Sequence, residues 1–291
     1  MRDDTVAVVI PSVGRPSTLH ETLLSVLRQH HLPGQIIVSV PTEGDVLPQT
    51  RALPGVSVIH CGLGSSRQRN GAIEALAPGI GLVAFLDDDV ELHDRYLERV
   101  VRVFQEQPGV VLVDGRVLAD GRDIPRARAI EIVAGTDAAE SRQTREIGPD
   151  LVYGCNMTAR RSVLAGVRFD ERLPLYGYME DRDFAFECAR IGRLARCEGA
   201  TLVHLRPAGG RISPRRLGFS QVMNPVYLWR KGNYLSWRSV AWQVSRPLLL
   251  NAALALAPGQ KAHRLALLGG NCRALSSMLR GHIAPEDITR L

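Results

Sequence analysis

Several absences narrow the reading before any motif does. The 291 residues hold five cysteines, an odd number, without a Cys-x-x-Cys pair. That excludes a disulfide scaffold and argues against a structural zinc site. Reduced thiols in a cytoplasmic compartment fit best. The opening Met1-Arg2-Asp3-Asp4 carries acid and runs straight into a short apolar stretch, unlike the basic-then-apolar order of a secretory signal. There is no internal repeat and no low-complexity segment. No serine or cysteine sits in a recognisable nucleophile elbow, which disfavours a hydrolase triad. Acid is the most unevenly missing feature: from Leu205 to Leu291 there are thirteen Arg or Lys and only two acids, Glu286 and Asp287.

What is present is ordinary globular composition. Apolar residues make up 45% and charged residues 23%, unlike a disordered, collagen-like or coiled-coil chain. The length suits one large domain or two smaller ones. A net charge of +6 conceals an acidic body, −5 over residues 1–204, and a basic tail, +11 over residues 205–291. Such asymmetry describes a two-part molecule whose tail meets an anionic partner: nucleic acid, a phospholipid surface or a phosphorylated substrate.

Thr5-Val-Ala-Val-Val-Ile10 is a β-branched run that predicts a strand buried on both faces, ending at Pro11. Thr18 with Glu21 reads as a capping box for a helix carrying Leu19, Leu23, Val26 and Leu27. Gln35-Ile-Ile-Val-Ser-Val40 and Val56-Ser-Val-Ile59 are the second and third strands. Ser65 with Gln68 caps a helix through Ala77. Gly81-Leu-Val-Ala-Phe-Leu86 is a fourth strand, a helix from about residue 95 to 107 follows, and Val110-Val-Leu-Val113 is a fifth strand. Strands alternating with helices predict parallel β-α-β units in an open α/β sheet. Such sheets bind ligands at the carboxyl ends of their strands, which directs attention to residues 11–15, 41–45, 62–70 and 87–89. Residues 115–149 are polar, Arg-rich and without clear periodicity, the pattern of a mobile loop over the site.

Asp87-Asp88-Asp89 directly follows the fourth strand. Three adjacent carboxylates repel one another unless a cation relieves them. Aspartates at a strand end hold Mg²⁺ or Mn²⁺ when a diphosphate supplies the other oxygens; the plainer reading is a helix cap or a solvated loop. Glu180 and Asp181 precede Phe184-Ala-Phe-Glu-Cys-Ala-Arg-Ile191, which reads as a helix. They sit at its N-terminus, where acids are favoured for stability alone. The functional reading is a general base beside a cleft, worth about 10²–10⁴ in rate. Gly62-Leu-Gly64 before Ser65 and Ser66 offers backbone amides to a phosphate. Arg67 and Arg69 offer cations to it, although a helix-surface Arg is usually just solvated. His204 ends an apolar Thr-Leu-Val run and reads as a metal ligand, a diphosphate contact or a structural residue. Pro207-Ala-Gly-Gly-Arg211 reads as a flexible basic loop.

Together these pieces resemble the inverting family-2 glycosyltransferases with the GT-A fold, over about residues 5–205. Val8-Val-Ile-Pro-Ser-Val-Gly-Arg15 looks like the opening strand and nucleotide loop of that family, with Pro11, Ser12, Gly14 and Arg15 on the donor side. Ser66-Arg-Gln-Arg-Asn-Gly-Ala72 looks like its Arg-Asn-x-Gly helix and puts Arg69 with the donor. Phe85-Leu-Asp-Asp-Asp89 matches its Asp-x-Asp motif. Gly154-Cys-Asn-Met-Thr-Ala-Arg-Arg161 resembles the acceptor-side segment. Phe169-Asp-Glu171 through Glu180-Asp181-Arg-Asp183 resembles the elements around the catalytic base. The resemblance implies a GT-A-like open, mostly parallel α/β sheet flanked by helices over residues 1–215, followed by a basic helical extension over residues 216–291. It implies a metal-dependent transfer, with Mn²⁺ or Mg²⁺, from a nucleoside-diphosphate sugar to a hydroxyl of a glycan or lipid-linked acceptor. Asp87 and Asp88 would bind the nucleotide, Asp88 at the ribose. Asp89, with His204, would hold the metal. Asp181 would be the base, and Glu180 would position it or bind acceptor. One departure stands out. The family usually has an Asp just after the second strand that reads the nucleobase, whereas this chain has Val40-Pro41-Thr42-Glu43, with Asp45 slightly later. Either Glu43 or Asp45 takes its place or the base is read otherwise, so the choice among uridine, guanosine and thymidine donors stays open.

The tail holds all three tryptophans, Trp229, Trp237 and Trp242, with Tyr227 and Tyr234 nearby and Arg230, Lys231, Arg238 and Arg246 interleaved. Aromatic rings with basic side chains suit a membrane interface. Pro247-Leu-Leu-Leu-Asn-Ala-Ala-Leu-Ala-Leu-Ala-Pro258 is only twelve residues long, against the roughly 20 a span needs. Leu265, Leu268, Cys272, Leu275 and Leu279 recur on one helical stripe, with Arg273 and Arg280 off it. The expectation is peripheral attachment to an anionic membrane at the inner face of the plasma membrane; the alternative is that the stripe packs on the body or on a second copy of the chain. No nucleic-acid motif accompanies the charge, and no nucleic-acid partner is expected. The competing functions are a sugar nucleotidyltransferase and a non-catalytic membrane or nucleic-acid-binding protein.

Overall fold

The β-branched run near the N-terminus forms β1 (Val6–Pro11), buried in all but its last residue. Along the chain follow α1 (Pro16–Leu27), β2 (Gln35–Val40), the short α2 (Pro48–Arg51), β3 (Val56–His60), α3 (Ser65–Glu74), β4 (Leu82–Leu86), β5 (Val90–Leu92), α4 (Tyr96–Glu106), β6 (Val110–Asp120), α5 (Arg126–Ala134), β7 (Thr144–Glu146), β8 (Asn156–Arg160), α6 (Glu180–Ala189) and β9 (Arg193–His204). Three helices close the chain, α7 (Pro214–Arg230), α8 (Trp237–Leu254) and α9 (Lys261–Leu279), before a 3-10 segment Pro285–Arg290. The structure is a computed structural model that describes residues 4–122, 124–136, 143–207, 209, 212–232, 235–257 and 259–291.

The strands form one sheet in the order β3-β2-β1-β4-β8-β6-β9-β5, with β7 also on β9. The half built from β3, β2, β1 and β4 is parallel, as the alternation of strands and helices predicts. Beyond β4 the sheet is mixed. β8 runs antiparallel to both β4 and β6, while the two long strands β6 and β9 pair in parallel. Alternate residues of the buried strands feed two cores. Val8, Ile10, Val38, Ala84 and Leu86 meet Leu19 and Leu23 of α1 and Val100 and Phe104 of α4. Ala7, Val9, Ile37, Val83 and Phe85 meet Ile73 of α3 and Phe184 and Cys188 of α6 on the other face. A strand covered on both faces needs no polar alternation, which is why these runs read so plainly.

Three local expectations are corrected. Helix α1 begins at Pro16, whose fixed φ suits a first helical position, with Arg15 as N-cap and no side-chain cap bond; Thr18 and Glu21 lie inside the helix and form no capping box. Helix α3 is led by Gly64 at φ 131° rather than by Ser65, and it ends at Glu74. Residues 115–149 are not one long loop. β6 continues to Asp120, with irregularities in its register against β9, and α5 buries Ala129 and Val133. The bulged register breaks the two-residue alternation, and so hides the strand from a periodicity reading. Residues 123 and 137–142 of that stretch lie outside the described residues, as do Ala208, Gly210 and Arg211 of the expected basic loop, Tyr234, Pro258 and Met1 to Asp3.

Among the described residues no helix is long and apolar enough to cross a membrane. Helix α9 forms where the tail's periodicity predicts one, but its buried residues are Leu267, Gly270, Asn271, Ala274 and Ser277, while Leu275 of the predicted stripe packs, half-buried, against the core. Leu265, Cys272 and Leu279 face outward.

Candidate active site

Because β1 and β4 are parallel neighbours, with Val9 opposite Phe85, their carboxyl ends lie side by side. The loops that follow them, residues 12–15 and 87–89, are therefore forced together where the strand order reverses, the usual ligand position in an open α/β sheet. The Ser12 hydroxyl donates to Asp88. The Arg15 guanidinium pairs with Asp88 and, at 2.8 Å, with Asp89. The Thr22 hydroxyl donates to the Asp88 carbonyl at 2.8 Å, fixing the loop to α1. Burial pushes the Asp88 carboxyl up to about 7, against the pull of Arg15.

Gly14 has φ 67°, and its amide donates to Asp45 at 2.7 Å. Asp45 also accepts from the Thr42 amide at 3.0 Å and the Thr42 hydroxyl at 2.6 Å. Burial opposes charge on Asp45, but these bonds outweigh it and hold the carboxyl below its ordinary value. Asp45 thus latches the loop after β2 to the loop after β1. Glu43 is exposed and pairs with Arg51 and His60. Both acids proposed as substitutes for the missing nucleobase reader already have partners.

β9 delivers His204 to the same place from the far half of the sheet. Its Nε2 lies 3.2 Å from Asp89 Oδ1 and 3.9 Å from Asp87 Oδ2. Its Nδ1 lies 3.2 Å from Asp120 Oδ1 and 3.1 Å from the Tyr153 hydroxyl, which donates to Asp120 at 2.9 Å. Burial lowers the imidazole pKa, yet the bonds to Asp120 and Asp89 outweigh that and push it up to about 10. Asp87, Asp89 and His204 each bring a donor atom within 4.8 Å of the others. Asp89 Oδ1 is buried, and its neighbour is the His204 ring at 3.2 Å. Two carboxylates and an imidazole clustered in this way fit a divalent cation that accepts oxygen and nitrogen ligands. The sequence reading had put Asp87 with the nucleotide; the structure groups it with Asp89 and His204.

Arg69 connects this cluster to the second acidic site. Its side chain is 2% exposed. One terminal nitrogen donates to Asp87 at 2.9 Å and to the Gly154 carbonyl at 3.2 Å, and the other pairs with Glu180. Its guanidinium lies 5.3 Å from the Phe169 ring centre, and Phe169 stacks on Phe184 of α6. Arg69 therefore braces carboxylates, whereas the sequence alone placed it at a phosphate. Burial, reinforced by Asp181, pushes the Glu180 carboxyl up to about 8 against the pull of Arg69. Asp181 sits in the first turn of α6, partly exposed. Its Oδ2 accepts the Gly154 amide at 3.0 Å, and its Oδ1 accepts the Arg182 amide at 2.9 Å.

Arg67 turns away and pairs with Glu171 at 3.3 Å. The start of α3 does not present free amides to a phosphate as the glycines suggested. Its Ser65 amide donates to the Leu175 carbonyl at 2.9 Å, so the 173–176 segment closes it. Among the described residues, three non-glycine residues have positive φ, namely Leu175 and Met179 just before Glu180, and Arg206 just after His204. Strained backbone of this kind clusters at functional sites. Sequence reasoning missed Asp120 and Tyr153, because they lie in or beside the stretch read as irregular.

A sequence model described as Glycosyl transferase family 2 matches residues 7–166. No curated protein matches the chain in sequence. Among solved structures, the chain is similar to residues 1–349 of TarS from S. aureus, at 14% identity and TM-score 0.54, covering 96% of this chain and 83% of that one. The same region of TarS in complex with UDP aligns at 14% identity and TM-score 0.54, covering 96% and 92%. It is also similar to the mannosyltransferase PcManGT from Pyrobaculum calidifontis in complex with GDP-Man and Mn²⁺, at 17% identity and TM-score 0.57, covering 93% and 86%.

Proposed function

The chain belongs to glycosyl transferase family 2 and is a glycosyltransferase; from that premise we propose that it performs an inverting, metal-dependent transfer. A sugar moves from a nucleoside-diphosphate sugar to a hydroxyl of a glycan or lipid-linked acceptor, in cell-envelope polysaccharide synthesis. The observation that carries this reading is the convergence of Asp87, Asp89 and His204, whose donor atoms lie within 4.8 Å of one another, with a partly exposed carboxylate, Asp181, held by backbone amides.

The proposed roles are these. Asp181 takes the proton of the acceptor hydroxyl as its oxygen attacks the anomeric carbon. The bond to the diphosphate oxygen breaks on the opposite face, which inverts that carbon. The Gly154 and Arg182 amides aim the carboxylate. Glu180, tied to Arg69, fixes the start of α6. Ser12, Gly14 and Arg15 shape the donor side after Pro11, and Asp88, expected at the ribose, is fully buried beneath them and holds Ser12 and Arg15 in place. Asp87, Asp89 and His204 would hold Mn²⁺ or Mg²⁺, which supplies positive charge to the departing diphosphate. A sugar nucleotidyltransferase would have little use for a base on the acceptor side.

The experiment is titration calorimetry of UDP, GDP and dTDP, with and without Mn²⁺, on the wild type and on Asp89→Ala. Metal-dependent binding of one nucleotide, lost in the variant, is expected and names the donor class. Folded protein that binds none of the three, or binds them equally with and without metal, overturns the proposal.

A further inference from the structure

Helix α8 is apolar on two opposite sides. Its inner side packs Val240 and Val244 against Leu228, Leu235 and Met179. Its outer side carries Trp242 and Leu249, seven residues apart and so stacked two turns apart along one line, and Leu256 follows in the turn just beyond the helix end. They are 66%, 70% and 89% exposed. A surface helix ordinarily has one apolar face, and nothing among the described residues covers this second one. The neighbouring α9 repeats the pattern, with Leu265 and Leu279 turned outward.

The charge around these outer faces is of one sign. Arg238 and Arg246 flank the α8 line, and Arg273 and Arg280 stand to one side of the α9 line; all four are exposed. Among the described residues none of the four has a carboxylate partner, and the two acids of the tail are engaged elsewhere, Glu286 with Arg172 and Asp287 with Arg290 and His282. A second copy of the chain docking by the same face would bring arginines against arginines with no acid to offset them. An anionic phospholipid surface satisfies both features, because it takes leucine and tryptophan at the acyl boundary and arginine at the headgroups.

We propose that the outer faces of α8 and α9 dock this protein on an anionic bilayer surface, lying in the interface rather than crossing it. The docking has a consequence for the site. Tyr178 and Met179, immediately before Glu180 and Asp181, belong to the apolar cluster on the inner side of α8. Asn224 of α7 donates to the Tyr178 carbonyl at 2.8 Å. The segment that leads into the proposed base is thus separated from the lipid by the thickness of one helix, about 10 Å. This bears on a lipid-linked acceptor, and there it rests on the transferase reading above; the docking itself does not.

The test is co-sedimentation of the full chain with vesicles of phosphatidylcholine alone and of phosphatidylcholine with 30% phosphatidylglycerol. Two variants accompany it, Leu249→Glu/Leu256→Glu and Arg238→Ala/Arg246→Ala. All four side chains are exposed, and thermal melts check that the variants fold. Wild type is expected to bind the anionic vesicles at least tenfold better than the neutral ones. The glutamates should reduce that binding at least tenfold, and each lost arginine about fivefold, since a basic residue near such a surface is worth about that factor. Folded wild type that ignores anionic vesicles, or variants that bind as wild type does, overturn the proposal. So does a wild-type dimer that the glutamates convert to monomer. Nucleotide titration on the same preparations shows separately whether the donor site is intact.

Discussion

The Asp181 carboxylate accepts the backbone amide of Gly154 at 3.0 Å, and the missing side chain at Gly154 makes that approach possible. A Cβ there would stand 2.9 Å from Asp181 Cβ and 3.0 Å from its Oδ2. Gly154→Ala therefore displaces the proposed base without touching the donor loops. We expect kcat to fall about 10–100-fold, as misplacement of a catalytic group does, with nucleotide Kd within about twofold of wild type. Asp181→Asn keeps the shape and removes the proton acceptor, so its loss should be larger, about 10²–10⁴. Normal turnover in Asp181→Asn would reassign the base.

Arg69 lies between Glu180 and Asp87, and no other cation touches Glu180 among the described residues. Removing it strands the buried Glu180 carboxylate and the half-buried Asp87 without their shared cation, with Asp181 close by. Arg69→Met should cost about 3–5 kcal/mol, the usual effect of taking one partner from a buried ion pair. Arg69→Met/Glu180→Leu should recover part of that loss, because it removes the stranded charge as well. Urea unfolding of both variants at pH 7 makes the comparison. Additive losses would mean that the two side chains act independently.

The legible parts of this molecule were those where one segment carries its own signal. β1 and β4 are buried on both faces and read as continuous apolar runs, and Asp87-Asp88-Asp89 and Glu180-Asp181 are contiguous. Their meeting followed once parallel order was inferred, since adjacent parallel strands end together. What the sequence hid depends on pairing between distant segments. Asp120 reaches His204 only because β6 continues through register shifts against β9. Asp45 looks like a ligand reader in sequence and proves to be a latch on Gly14. The leucine stripe of α9 was legible, but which face it would bury was not. Two close glycine contacts decide that, and neither has a periodicity to read.

Lys231 at the end of α7 lies 2.8 Å from both Asp170 and Asp183. The Tyr227 hydroxyl donates to Asp170 at 2.8 Å. Burial opposes charge on Asp170, but Lys231 and Tyr227 outweigh it and hold its carboxyl below the ordinary value of 3.8. Asp183 is deeper, and burial raises it despite the same lysine. A folded value below the unfolded one means that the folded state binds fewer protons. The stability contributed by Asp170 is then fully present above about pH 4 and lost as pH falls through its folded value. Asp170→Asn should cost about 1–3 kcal/mol at pH 7 and should flatten the acid limb of stability against pH. Urea titrations between pH 3 and pH 7 measure both effects. An unchanged acid limb would place the acid sensitivity elsewhere.

The C-terminal helices hold together through contacts that only glycine permits. A Cβ at Gly218 on α7 would strike the Leu267 carbonyl of α9, and a Cβ at Gly270 on α9 would strike the Arg215 carbonyl and lie 2.6 Å from the Phe219 amide nitrogen. Beside them Asn271 donates to the Gly218 carbonyl at 2.7 Å. The obstacles are backbone, so no side-chain rotation relieves the clash and the helices must separate. Gly270→Ala should cost about 1–3 kcal/mol or more, as overpacking of a tight contact does. Gly269→Ala, with open space around its Cβ position, should cost nothing and add a little helix propensity, up to about 1 kcal/mol. Opposite effects of adjacent glycines on thermal unfolding would establish that the backbone approach, rather than helix propensity, fixes α9 with Leu265 and Leu279 outward. Equal effects would refute it.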